Sequence, residues 1–335
     1  MADFGHYDGC ATFQGRTFDA VITPEVDALV IEAAGASKMR VDYADLLDFR
    51  LLDYQIVLQT RTGEWHLSKL GRETEKFFEK LWQAYNQRCM EALFVRGHAA
   101  LEVEGECTYT EPGATDKGIA KVAMYDDCLC VYPHDCRARR IPFCFSEEPQ
   151  ITDYQLVLHL DTGDEYRIAK LGRHTHDIFE KFQRRRVEIR EQWAAAQLHV
   201  NTHRDELLGE KKVSYDCMAK VGRIAVGIFS LDTEGFWFAA IRDGRAAVEL
   251  VTEEQTATYL YRYDTEDQVF EKRLRHAMES VALHREVIFS EIAGNPLYQM
   301  SVQRNYHLQY LRSHHAGRII HSQSWEKQLM EFMTK

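Results

Sequence analysis

"KLGRETEKFFEK" at residues 69–80 returns a hundred-odd residues later as "KLGRHTHDIFEK" at 170–181. The match widens upstream, where "DYQIVLQTRTG" from Asp53 meets "DYQLVLHLDTG" from Asp153. One inserted residue then brings Lys69-Leu70-Gly71-Arg72 onto Lys170-Leu171-Gly172-Arg173. Fifteen positions between Asp53 and Lys80 are identical, more than two unrelated segments of similar composition would share. A period near one hundred is too long for solenoid repeats of about 20–50 residues, so each copy is expected to be a domain with its own core.

Inside each copy the apolar period is first two. "YQIVLQT" and "WHLSK" read as strands joined by the hairpin "RTGE", and "YQLVLHL", "DTGDE" and "YRIAK" repeat them. The second strand should bury Trp65 and Leu67, or Tyr166 and Ile168. Upstream, "FDAVIT", "ALVIEA" and "MRVDY", matched by "AKVAMY", "CLCVYP" and "RRIPF", supply further strands. After the shared phrase the period becomes 3.6: Phe77, Phe78, Leu81, Trp82, Tyr85, Cys89 and Leu93 form the stripe of an amphipathic helix. Such a helix needs an apolar surface to cover, and the open end of a small antiparallel barrel provides one.

Several short antiparallel strands closed by one C-terminal helix, in a unit of about one hundred residues, resemble the pleckstrin-homology (PH-like) superfold, including its bacterial and GRAM-like branches. The resemblance covers residues 12–95 and 108–200 in tandem. It implies an α+β chain with two small barrels, 1–95 and 96–205, followed by a divergent α+β domain at 206–335. Lipid-binding members of that superfold carry a basic cluster in their first hairpin; here "GRTFDAVITPEVDAL" offers only Arg16.

The last third holds one echo of the repeat, Phe270-Glu271-Lys272, and a helical stripe of Leu274, Ala277, Met278 and Val281 follows it. Ahead of it, "FWFAAIRDGRAAVELV" is a hairpin turning at Asp243-Gly244, and "ATYLYRY" is another strand. A third, divergent strands-then-helix unit fits this order. Beyond it, "REVIFSE" and "LYQMSVQ" read as strands and "SWEKQLMEFM" as a helix. Polarity rises near 95–100 and 201–212, where unit boundaries are expected.

Composition bounds the function classes. A hydrophobic fraction of 45% and a charged fraction of 28% are those of an ordinary globular chain. There is no apolar run of 18 residues, and the start "MADFGHYDGC" has neither a basic nor an apolar leader segment, so a cytoplasmic protein with reduced cysteines is expected. The net charge of -11 is concentrated early: residues 1–117 hold 12 basic and 20 acidic side chains. Nucleic acid and anionic membranes are therefore disfavoured as partners.

Each candidate site has a simpler structural reading. Lys69, Arg72, Lys170 and Arg173 flank a glycine just before a helix start, where an anion could bind. The simpler reading is a fold junction, with Gly71 and Gly172 at positive backbone angles and Thr74 or Thr175 capping the helix. Cys128, Cys130, Cys136 and Cys144, with His134 among them, fit no common zinc spacing and read as small core residues. His307, His314 and His321 recur every seven residues beside His315 and would share a face on a continuous helix, the one place for an enzymatic site. No phosphate-loop, dinucleotide or nucleophile-elbow motif is present. The expectation is a non-catalytic scaffold without a cofactor, binding a protein partner by strand addition or in an apolar groove. A peripheral phospholipid module is the alternative.

Overall fold

The computed structural model describes residues 4–33, 38–112, 114–133, 137–231, 235–252 and 257–334. Seven antiparallel strands come first: β1 (Tyr7–Phe13), β2 (Arg16–Pro24), β3 (Ala28–Ala33), β4 (Met39–Asp42), β5 (Leu46–Leu52), β6 (Gln55–Thr60) and β7 (Gly63–Ser68), followed by α1 (Thr74–Ala92). They form one sheet in the order 4-3-2-1-7-6-5. Its end strands, β4 and β5, are joined only by the single 3-10 turn Tyr43–Asp45. The sheet must therefore curl until its two ends meet at that corner, which gives a half-barrel. Phe77, Leu81, Tyr85 and Cys89 of α1 are fully buried over its open end.

The second copy repeats this: β8 (Leu101–Glu111), β9 (Ala114–Met124), β10 (Cys128–Pro133), β11 (Arg139–Pro142), β12 (Gln150–Thr152), β13 (Gln155–His159), β14 (Glu165–Ala169), then α2 (His174–Leu207). Its sheet runs 11-10-9-8-14-13-12, the same topology. Register is duplicated too, with Leu58 opposite Trp65 and Leu158 opposite Tyr166. Both barrels begin earlier than residues 12 and 108. The first strands, β1 and β8, carry Gly9 and Gly105 at positions in phase with the buried Tyr7 and Ala11, and Cys107 and Tyr109.

Those glycines explain the shared phrase. A Cβ at Gly9 would lie 2.9 Å from the Leu70 side chain and 2.9 Å from the Ser68 carbonyl; at Gly105 it would lie 2.9 Å from Leu171 and 2.8 Å from the Ala169 carbonyl. The leucine of each "KLGR" is buried against its glycine. The next glycine, at φ +60 in Gly71 and +56 in Gly172, turns the chain into the helix. The threonines do not cap that helix: Thr74 and Thr175 sit inside the first turn and donate back to the Gly71 and Gly172 carbonyls at 2.9 and 3.0 Å.

The third segment comprises α3 (Lys212–Met218), β15 (Arg223–Ile228), β16 (Phe236–Arg242), β17 (Arg245–Val251), β18 (Ala257–Arg262), α4 (Asp267–Val281), α5 (Glu286–Phe289), α6 (Pro296–Arg304), α7 (Tyr306–His314), β19 (His315–Ile320) and α8 (Trp325–Thr334). Its sheet is a five-strand meander ordered 15-16-17-18-19, so it is not a third copy of the barrel. Helices pack on both faces, and β16 and β17 accordingly read as nearly unbroken apolar runs. "REVIFSE" and "LYQMSVQ" are helices α5 and α6 rather than strands. Asn295 caps α6 by accepting from the Tyr298 N–H at 3.2 Å, and Pro296 opens its first turn. The polar stretch 201–212 is helical as well: α2 continues to Leu207, and one 3-10 turn leads into α3. No described helix is long and apolar enough to cross a membrane.

Candidate functional site

Lys69, Arg72, Lys170 and Arg173 are not gathered into one site. All four are exposed; Lys170 pairs with Glu106 of its own barrel at 2.7 Å, whereas Arg72 and Arg173 make no ion pair among the described residues. Cys128 and Cys130 are fully buried free thiols, their sulfurs 3.9 Å apart, on the face of β10 turned toward the first barrel. Burial raises the Cys128 and Cys144 thiols well above their ordinary range. His134 and Cys136 lie outside the described residues. No group of three His, Cys, Asp or Glu side chains among the described residues could hold a metal ion.

The C-terminal histidines also disperse, because α7 ends at His314 and Gly317 lies in β19. His314 rests on Tyr310, His315 on Tyr261, and His321 meets Glu249 at 3.0 Å. Burial alone would raise the Glu249 carboxyl, but hydrogen bonds from His321, Thr258 and Ser214 hold it below the ordinary carboxylate range. His307 alone enters the junction between the three segments.

That junction is built from buried charge. Arg140 of β11 donates two 2.7 Å hydrogen bonds to Glu279 of α4 and a third, at 2.8 Å, to Asp127. Arg139 beside it grips Glu111 at 2.5 and 3.0 Å. Asp161, in the β13–β14 turn, meets His276 of α4 at 2.5 Å, and the His276 ring lies 4.4 Å from that of His307. Burial first, then His276 and Arg273, push His307 well below the ordinary histidine value. Nearby Asp164 is raised by burial. From the other side, Arg304 of α6 donates to the Tyr85 hydroxyl at 2.7 Å, and Gln303 donates to the Ala44 carbonyl at 2.9 Å. The C-terminal segment thus holds both barrels. The Arg140–Glu279 pair is shared by two cavities, a small one of about 40 Å³ beside His307 and a larger one of about 370 Å³ beside Trp193.

Three arginines of α2 bond the backbone of the second barrel itself, while Arg184 is exposed. Arg186 and Arg190 both donate to the Ser146 carbonyl at 2.8 Å, and Arg185 donates to the Asp126 carbonyl at 2.7 Å.

Two outward-facing features went unread in the sequence. Tyr54 and Tyr154, assigned there to strand starts, occupy two-residue hairpin turns with Asp53 and Asp153, all four at φ between 47 and 61. They are 77% and 91% exposed. The second feature is a groove of about 290 Å³ between the barrels, walled by Asp48–Leu51 of β5 on one side and Lys117–Ile119 of β9 on the other, with Phe78 between. Phe49 and Phe78 meet edge to face at 5.6 Å in its floor. The equal "DY" dipeptides were the available signal for the first feature; nothing local to the sequence marks the second. No family model matches the chain, and no curated protein matches it.

Proposed function

We propose that the chain is a non-catalytic interaction protein whose two PH-like barrels bind a protein partner, with Tyr54 and Tyr154 as anchors. One observation carries this reading: the same exposed aromatic is kept at the same strained turn in both copies. A left-handed conformation costs a non-glycine residue about 1–2 kcal/mol, and turns of this type normally use glycine or asparagine. Retaining tyrosine there is unfavourable for the fold and favourable for contact, since tyrosine is enriched among the residues that dominate interface energies. Buried charge pairs fix the second barrel on the C-terminal segment, and the hydrogen bonds of Gln303 and Arg304 fix the first, so the two tips are presented by a shared frame.

The test is a double variant, Tyr54→Gly with Tyr154→Gly, compared with wild type in affinity capture from the native cell and in thermal melts. The variant should melt at or above the wild-type temperature and lose the captured partner. If it keeps the partner, the anchors are wrong. If wild type captures no protein but sediments with vesicles of anionic phospholipid, the lipid-binding alternative replaces this reading.

A further inference from the structure

We propose that the small cavity beside His307 is a binding site for a primary carboxamide of about acetamide size. It lies where the second barrel, α4 and the α6–α7 corner meet, at the opposite end of β13 from the Tyr154 turn, so it is separate from the tyrosine tips. Its volume of about 40 Å³ is room for about three waters or one molecule of about four non-hydrogen atoms. Among its lining residues, Arg140, Asp164 and His307 each hold a buried polar atom, Nε, Oδ1 and Nδ1 respectively, without a hydrogen-bond partner among the described residues. Asp164 is 2% exposed and the Arg140 side chain 8%. Buried polar groups are nearly always hydrogen-bonded, so three such atoms on the walls of one cavity point to an occupant.

The duplication shows that a barrel of this topology does not need this polarity. At the matching corner of the first barrel, Phe13 stacks on Trp65 at 4.3 Å, and Met39 packs against the same core. By strand register the second barrel places Tyr109, Tyr166 and Arg139 at those three positions. Asp164, two residues before Tyr166, stands where the first barrel has Gly63, two before Trp65. Docking of the C-terminal segment does not account for these four. Arg139 and Tyr166 bond Glu111 of their own barrel, and Tyr109 bonds Asp116. Asp164 lies 3.9 Å from the His307 Nε2, beyond hydrogen-bond distance. An apolar plug in one copy is a polar chamber in the other.

The chemistry of the occupant follows from what the walls leave over. Arg139 is met by Glu111, and Arg140 by Glu279 and Asp127, so these arginines offer no excess positive charge to an anion. What is left is one N–H donor at Arg140, one carboxyl oxygen at Asp164 and one ring nitrogen at His307. A primary carboxamide matches that set. Its NH2 donates to Asp164 Oδ1, and its carbonyl oxygen, with two lone pairs, accepts from Arg140 Nε–H and from His307 in the Nδ1–H tautomer. Burial lowers the proton affinity of His307 and so keeps the ring neutral. An ammonium group would face the Arg140 guanidinium, and a carboxylate would face Asp164, so like charge disfavours both.

The experiment titrates the full chain with acetamide and follows saturation-transfer NMR together with the ring-nitrogen resonances of His307. Binding should saturate in the millimolar range, the strength open to about four heavy atoms, and should move the Nδ1 resonance. Acetate and methylammonium should bind at least about tenfold more weakly. Asp164→Leu, which removes the carboxyl, and His307→Phe, which fills the space of the ring without its nitrogens, should each lose at least about tenfold in affinity; either one suffices if the other fails to fold. A crystal of the full chain soaked in acetamide should show it between Asp164 and His307 in place of water. The proposal is overturned if acetate binds as tightly, if a folded variant keeps the affinity, or if the Nδ1 resonance stays still at saturation. It is also overturned if the soaked crystal holds ordered water alone in the cavity, or holds acetamide there while none binds in solution, which is binding at crystal concentration only.

Discussion

Arg140 and Arg40 occupy the same register position in the two barrels, opposite Cys130 and Val30, and each pairs with the equivalent aspartate, Asp127 or Asp27. In the first barrel the arginine stays 43% exposed. In the second it is 8% exposed and turned to Glu279, whose side chain is 5% exposed. A surface ion pair of the repeat has thus become the buried fastening of the C-terminal segment. Removing one partner of a buried pair strands the other charge. Arg140→Met should therefore destabilise the protein by about 3–5 kcal/mol in urea unfolding, and Arg140→Met with Glu279→Met should lose far less than the sum of the single changes. Arg40→Met should cost under about 1 kcal/mol.

The glycine of each repeated phrase is under a different constraint from its charged neighbours. Nothing lies within 4 Å of a Cβ built on Gly71 or Gly172, so the penalty of Gly71→Val or Gly172→Val comes from the backbone angle alone and should be about 1–3 kcal/mol. Lys69→Ala with Arg72→Ala, or Lys170→Ala with Arg173→Ala, should cost under about 1 kcal/mol. Thermal melts of the four variants check the contrast, and glycine variants as stable as wild type would rule out the junction role.

His307 makes the junction sensitive to acid. Its proton affinity is lowered in the fold, so below the ordinary value of 6.5 the unfolded chain takes up a proton that the native one does not. The stability it contributes is present above that pH and is lost as pH falls toward the lowered native value, at up to about 1.4 kcal/mol per pH unit. The groups facing it are Asp164 from the second barrel and His276 and Arg273 from α4. Urea midpoints measured between pH 7 and pH 5 should fall less steeply in His307→Asn than in wild type.

Glu249 holds the C-terminal end. Ser214, Thr258 and His321 bond it at 2.7, 2.6 and 3.0 Å, and Lys211 lies 3.6 Å away. Glu249→Ala leaves these donors around an empty acceptor position and should cost about 2–4 kcal/mol. Hydrogen exchange should show β19 and α8 opening before either barrel.

The fold was legible where the chain repeats itself: the strands, the hairpin turns and the aromatic stripe of α1 all follow from local period. It was misread where backbone chemistry outranks hydrophobic pattern, as at Asn295-Pro296, whose cap makes α6 a helix despite its alternating apolar residues. β5 escaped notice because the bulge between Leu46 and Asp48 disrupts the alternation of "LLDFRLL". Arg140 could not be singled out, because its burial is imposed by Glu279, 139 residues distant along the chain; His307 stood out only as one of the C-terminal histidines, since its place in the junction depends on how α7 packs on α4 and the second barrel.

At 34 residues, α2 is about 51 Å long, and its buried side chains fall in two groups. Ile178, Phe182 and Ile189 belong to the core of the second barrel, and Val200 to that of the meander sheet. A single rod is therefore shared by two hydrophobic cores. Any fragment ended within it strips a wall from one core or the other, so the last two-thirds of the chain is one unit for dissection. A practicable cut falls before Leu101, and even there the freed piece would carry Arg304 without its Tyr85.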